Sequence, residues 1–531
     1  MKVRLLRLVV ACAVLGSGLA AAHETGGSQT GKLGNVKFAT SCNPAVQAQF
    51  ERGVAMLHSF WYSAAEALFQ EIAQKDPTCA IAHWGHAAIL MNNPLAGQGS
   101  IPANVPKAQA AIEQARKIGA KTQRERDYIE AVAAYYEDWA NRPERARQVA
   151  RAKAYEALAA KYPDDDEAQI FAALYIAGMQ QQSEQTFASY LKAASMLEPQ
   201  FKKYPDHPGV AHYLIHSYDA PPIAAKGLDA ARRYAEIAPA APHALHMPSH
   251  IFTRVGSWEE SAATNLRSAA AAKVNGEPDE SYHANDYAVY AYLQLGRDAD
   301  AKKAMDEAMK VTGVSPRFVA PYAMIAMPAR YAMERGDWKA AMALPTPTST
   351  YPFTNAITHF SRAMGALRLG DATTAAKESE MLAGFHKALT EAKNTYWATE
   401  VEVQRLTVAA WTAHVQGNAA EGAKLMRAAA DLEDSNEKHI VTPARIVPAR
   451  ELLGEMLIEQ KQAAAALKEF EASRLREPNR FRNYANAARA ADLAGDKAKA
   501  RENYAKLLEL AKKADGDRPD LVKAKASLAQ R

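Results

Sequence analysis

The sequence predicts an all-α protein, a right-handed α-solenoid of stacked helix-turn-helix repeats, and three observations carry that expectation. From Asn43 onward the chain reads as Ala-rich helix after helix, with turns marked by Gly-Asp, Gly-Arg, Gly-Ser or Asp-Pro. No run of alternating β-branched residues interrupts it, which excludes a substantial sheet. A histidine pair one helical turn apart, His212 and His216, returns 34 residues later as His246 and His250, a period that belongs to arrays of paired helices.

At the N-terminus, Lys2, Arg4 and Arg7 precede an apolar run from Leu8 to Ala22 that ends in Ala20-Ala21-Ala22. Residues 1–22 read as a signal peptide, which predicts a periplasmic or secreted protein. Val9-Val10-Ala11-Cys12 loosely fits a lipoprotein box but comes too early, so lipidation is the lesser reading. No later apolar stretch is long enough to span a bilayer. Residues 23–40, rich in Gly, Ser and Thr, read as a flexible segment. Once Cys12 leaves with the signal, Cys42 and Cys79 remain, each just before a helix. In an oxidising compartment they form a disulfide clamping the first two repeats, the competing reading being two unpaired buried thiols. With 531 residues, 48% apolar and 23% charged, the chain can bury a large core. Its formal charge of +5, without a basic cluster, gives no support to a nucleic-acid partner.

Gly53, Ala65, Phe69 and Pro77 mark a first unit, and Trp84-Gly85 opens the next. Tyr204-Pro205 and Ala238-Pro239 close two later units, and Glu477-Pro478-Asn479 with Tyr484, Ala487, Gly495 and Ala500 forms a C-terminal one. Over residues 40–515 this pattern resembles the tetratricopeptide repeat. The resemblance implies a groove that binds a protein or peptide partner. The spacing is irregular, since Gly256, Gly296 and Gly336 are 40 residues apart and Asn93 to Val105 is a Pro/Gly-rich insertion. A second interruption, Thr346 to Thr354, separates an N-terminal solenoid at 41–345 from C-terminal repeats at 355–515, followed by a tail at 516–531. More narrowly, His58-Ser-Phe-Trp-Tyr62, the stretch Ala241 to Phe252, Pro443-Ala-Arg and Pro448-Ala-Arg resemble a group of exported bacterial tetratricopeptide proteins. That resemblance brings fold and compartment but no activity.

Chemistry therefore has to come from the histidines. His243, His246 and His250 sit at i, i+3 and i+7, on one face of a helix. Aligning the turns at Gly256 and Gly296 places His283 on His243, Asp286 on His246 and Tyr290 on His250. The candidate metal ligands are His212, His216, His243, His246, His250, His283 and Asp286. Neutral imidazole suits Zn, Cu or Fe, and an i, i+4 pair can chelate one ion. Asp219 or Asp286 would act as a ligand or as the acceptor that fixes an imidazole tautomer. Against this stands a structural reading, in which the same positions pack one helix on another and their polar atoms are satisfied as a buried seam. His58 is expected in an aromatic core, and His83 and His86 in ordinary repeat packing.

No nucleophile elbow, phosphate loop, haem attachment or zinc-protease helix occurs. The leading expectation is an exported scaffold for a protein or peptide partner, with a transition-metal site around residues 207–290. The alternative is a metal-dependent enzyme or oxidase at the same cluster, with Asp219, Asp286 or Tyr287 as acid or base. The scaffold predicts buried, mutually bonded imidazoles, and the enzyme predicts imidazoles converging on a solvent-reachable pocket.

Overall fold

The computed structural model describes residues 31–529 except Gln98, Pro347 and Asp517. The expected signal peptide and Cys12 lie outside the described residues. The chain is an all-α solenoid, with 26 α-helices from Pro44–His58 to Pro519–Ala529 and no strand among the described residues. Each helix packs on the next, and many also on the second neighbour, as in Pro278–Gln294 against Val319–Glu334.

The turn chemistry explains the helix borders. Gly336, Gly370, Gly417 and Gly495 adopt positive φ, where a side chain would be strained, and so end one helix. The residue that follows each, Asp337, Asp371, Asn418 or Asp496, accepts a backbone N–H of the next helix as its N-cap. A second device serves the histidine-bearing helices. Pro208, Pro242 and Pro278 occupy their first turns, where the missing N–H costs nothing and φ is already helical.

Two expectations change, and the tail gains a definite element. The segment expected to be flexible packs from Lys32 onward. Lys32 Nζ donates to the Glu236 carbonyl at 2.8 Å, and Asn35 N donates to the Asp206 carbonyl at 3.0 Å. Phe38, fully buried, meets Phe50, Trp84 and Tyr128. Leu33, Val36 and Phe38 anchor a stretch whose polar composition pointed the other way. The break at Thr346–Thr354 does not divide the core, because one buried apolar cluster runs from Leu33 to Ala524. The tail contains the helix Pro519–Ala529, which buries Leu521 and Ala524.

Ser435 to Pro448, the segment holding Pro443-Ala-Arg and Pro448-Ala-Arg, is irregular yet mostly buried. Its backbone is satisfied by side chains, as buried peptide groups require. The Thr442 carbonyl accepts from Tyr287 Oη at 3.0 Å, and the Arg445 carbonyl accepts from Arg330 Nη1 at 2.8 Å. Glu437 N donates to the Gln182 carbonyl. The chain's own backbone thus fills the space between the Pro278–Gln294 and Val319–Glu334 helices and the loop at Gln182. At the N-terminal end Cys42 and Cys79 are joined, Cα to Cα 4.7 Å.

Candidate metal centre

Three consecutive repeats supply the histidines. Pro208–Ser217 carries His212 and His216, and Pro278–Gln294 carries His283. His243, His246 and His250 lie on Pro242–His246 and Pro248–Val255. These two helices meet at Met247, where Pro248 has no N–H to continue the ladder. The face expected from the i, i+3, i+7 spacing survives this joint. His212 and His246 are fully buried, His216, His250 and His283 nearly so, and His243 is the most open of the six.

The rings form one continuous cluster. Centroids lie 4.9 Å apart for His212 and His216, 5.2 Å for His212 and His243, 5.0 Å for His246 and His250, and 4.1 Å for His246 and His283. Two sets stand out, His212 with His216 and His243, and His246 with His250 and His283. Within each set one ring nitrogen per residue lies within 4.8 Å of the others. Each set is assembled the same way, from an i, i+4 pair of one repeat and a third histidine from the next.

Hydrogen bonding fixes the tautomers. His212 Nδ1 lies 2.6 Å from the His58 carbonyl and His250 Nδ1 lies 2.8 Å from Asp219 Oδ2. Both partners can only accept, so both Nδ1 atoms carry the proton. His243 Nδ1 donates to Glu280 Oε2 at 3.2 Å. For His246 the partner is Asn265 Oδ1 at 2.7 Å, and the Asn265 amide nitrogen is already committed to the Ser261 carbonyl at 2.7 Å. His212, His246 and His250, whose charged forms burial disfavours, therefore present bare Nε2 lone pairs to the interior. His212 Nε2, His243 Nε2 and both nitrogens of His216 make no hydrogen bond among the described residues. His246 Nε2 and His250 Nε2 face each other at 3.0 Å.

The electrostatics keep these lone pairs free. Burial pushes the pKa of His212, His216, His246 and His283 well below the usual imidazole range, and the neighbouring imidazoles add to that. Burial also lowers His250, against the pull of Asp219. Burial by itself would raise Asp219, but the charges of Lys438 and Arg254, with the bond from His250, hold it well below the carboxylate range. Burial lowers Lys438 to about 8, although its Nζ sits 3.7 Å from Asp219.

Asp286 lies outside both sets. Its Oδ1 is 3.6 Å from Arg330 Nη2, deep in the core, and burial raises its pKa to about 6 against that guanidinium. Tyr290 points elsewhere, accepting from Arg480 Nη1 and donating to Glu477. Tyr287 does join the cluster, its ring 4.8 Å from His246 and 5.2 Å from His250. Residues the sequence reasoning missed hold the imidazoles from behind: Glu280, Asn265 and the His58 backbone. His58 itself bridges Tyr213 and the buried Glu167, which also bonds His207. The charges of the two imidazoles outweigh burial and bring Glu167 down to about 2. A Cβ on Gly209 would stand 2.5 Å from the His58 ring, so only glycine lets that ring approach.

No family model and no curated protein sequence matches the chain. Among solved structures, a chain of the APC/C hetero-tetramer Cut9-Hcn1 aligns over 91% of this chain and 96% of its own, at 11% identity and a TM-score of 0.31. Yeast Tom70 aligns over 91% of this chain and 88% of its own, at 12% identity and a TM-score of 0.27. Likenesses this distant leave the reading of function to the site.

Proposed function

We propose that this chain is an exported helical-repeat scaffold that binds a transition-metal ion at the histidine cluster, its outer repeat surface being offered to a protein or peptide partner. One observation carries the metal reading, the contact between His246 and His250. Both Nδ1 atoms are donors, so two bare lone pairs meet at 3.0 Å, an arrangement that repels unless a cation lies between them. A proton is disfavoured there, because burial lowers both imidazole pKa values. A metal ion removes the conflict. Metal–nitrogen bonds of about 2.0–2.1 Å at a tetrahedral angle set ligand nitrogens about 3.3 Å apart. The all-nitrogen donor set, with carboxylates and amides behind it, suits Zn, Cu(II) or Fe(II). Burial of the imidazoles favours an ion with small ligands over an enzyme acting on a bulky substrate.

The test is metal content by inductively coupled plasma mass spectrometry on protein exported to the periplasm and purified without chelators or a His tag. Stoichiometric metal in the native protein, lost from a His212→Ala, His246→Ala, His250→Ala variant that keeps its helical circular dichroism, supports the reading. Metal-free native protein that also fails to take up Zn, Cu or Fe from solution refutes it.

A further inference from the structure

We infer that the two histidine sets hold two ions as one dinuclear centre, with a small oxygen-donor ligand such as hydroxide shared between them. This rests on the metal reading above and goes beyond it in stoichiometry and in ligand. Three observations lead there. The sets are built alike, each from an i, i+4 pair and one histidine of the following repeat, so each offers three imidazole nitrogens within 4.8 Å of one another. They also abut. The His216 and His250 rings are 5.5 Å apart and the His243 and His246 rings 5.8 Å apart, with no other side chain needed to join them. Finally, each set offers three nitrogens, one fewer than a closed tetrahedral site uses, which leaves a coordination position for an exogenous ligand.

Charge decides what that ligand is. Two divalent ions on six neutral imidazoles add four positive charges to a buried region. Asp219 behind His250 and Glu280 behind His243 offset part of it, but Asp219 is already shared with Arg254 and Lys438. A hydroxide between the ions cancels one more of these charges and screens their repulsion, and paired metal ions in proteins sit about 3.5–4 Å apart. Phe60 packs on His212, His216 and His243 and Tyr287 on His246 and His250, so the bridging group has to be small. Its oxygen donates two lone pairs, one to each ion, and no bond of the protein changes.

The experiment titrates chelator-stripped full-length protein with Cu(II), reading bound copper by mass spectrometry and unpaired spins by electron paramagnetic resonance. A bridged pair gives two ions per chain whose signal integrates far below that of two isolated ions. His243→Ala and His283→Ala each remove the third ligand of one set. They are also the two most open of the six side chains, so either variant serves if the other fails to fold. Each should keep no more than one ion, with a full mononuclear signal for whatever copper it retains. Two ions with full, uncoupled intensity in the native protein would overturn the dinuclear centre while leaving the metal site standing. One ion per native chain, or a coupled signal that survives either substitution, would do the same. Native protein that binds no copper, zinc or iron fails the metal reading itself.

Discussion

His246 and His250, one helical turn apart across the Pro248 joint, meet Nε2 to Nε2 at 3.0 Å with both Nδ1 protons pinned outward by Asn265 and Asp219. The pinning makes Asn265 a useful handle, because it touches His246 only at the nitrogen turned away from the interior. Asn265→Ala frees His246 to exchange tautomers. Loss of such an outer partner typically weakens metal binding about 10–100-fold. A Zn(II) competition titration against a chromophoric chelator should show that loss with the fold intact. Unchanged affinity would mean that the tautomer of His246 is irrelevant to the site.

The metal-free protein should lose stability as the solution becomes acidic, through the same histidines. His212, His216, His246 and His283 have folded pKa values well below the unfolded value of about 6.5. Below about pH 6.5 the unfolded chain therefore binds more protons than the native one, and each such histidine withdraws up to about 1.4 kcal/mol per pH unit. Their contribution is complete above that pH and falls away as pH drops toward the folded values. Thermal melts of chelator-treated protein between pH 7.5 and 5.5 should show a steeper fall for the native chain than for His283→Ala. Parallel curves would count against a buried neutral His283.

Much of this was legible from the sequence and some was not, for physical reasons. The 34-residue return of the histidine pair and the Gly-Asp turns report helix period and capping, both local properties, so the helical stack and the shared histidine face could be read directly. Asp286 was placed in the cluster by register alone. The structure gives it to Arg330, a residue 44 positions on, because an unpaired buried guanidinium is costlier than a misplaced repeat position. Glu280 lies one turn before His283 on Pro278–Gln294 and Asn265 lies on Trp258–Asn275, neither in a motif, and only tertiary contact shows that they hold His243 and His246. Leu33, Val36 and Phe38 were hidden among Gly, Ser and Thr, and the irregular segment at 435–448 is held by side chains distant in sequence.

The bridge between Cys42 and Cys79 closes a loop of 37 residues in sequence. Chain-entropy arguments assign such a loop about 4 kcal/mol. Cys42→Ser should lower the denaturant midpoint accordingly, and a reductant should reproduce the effect in the native chain without adding to it in the variant. A reductant that leaves the native midpoint unmoved would show that the bridge contributes nothing.

Asp286, paired with Arg330 and outside both histidine sets, tests where the proposed metal site ends. The Arg330 side chain is fully buried, with Asp286 Oδ1 at 3.6 Å and the Ala444 and Arg445 carbonyls as its hydrogen-bond acceptors. Asp286→Ala leaves the guanidinium charge without that carboxylate, and breaking a buried pair costs about 3–5 kcal/mol. Asp286→Asn keeps the shape and should cost less, since carbonyls still accept from Arg330. Neither substitution touches either histidine set. Metal content per folded chain should therefore stay at the native value in both variants, even as their melting temperatures fall. If Asp286→Asn folds normally and loses metal, the carboxylate belongs to the coordination sphere after all, and the two sets of three imidazoles are not the whole of the site.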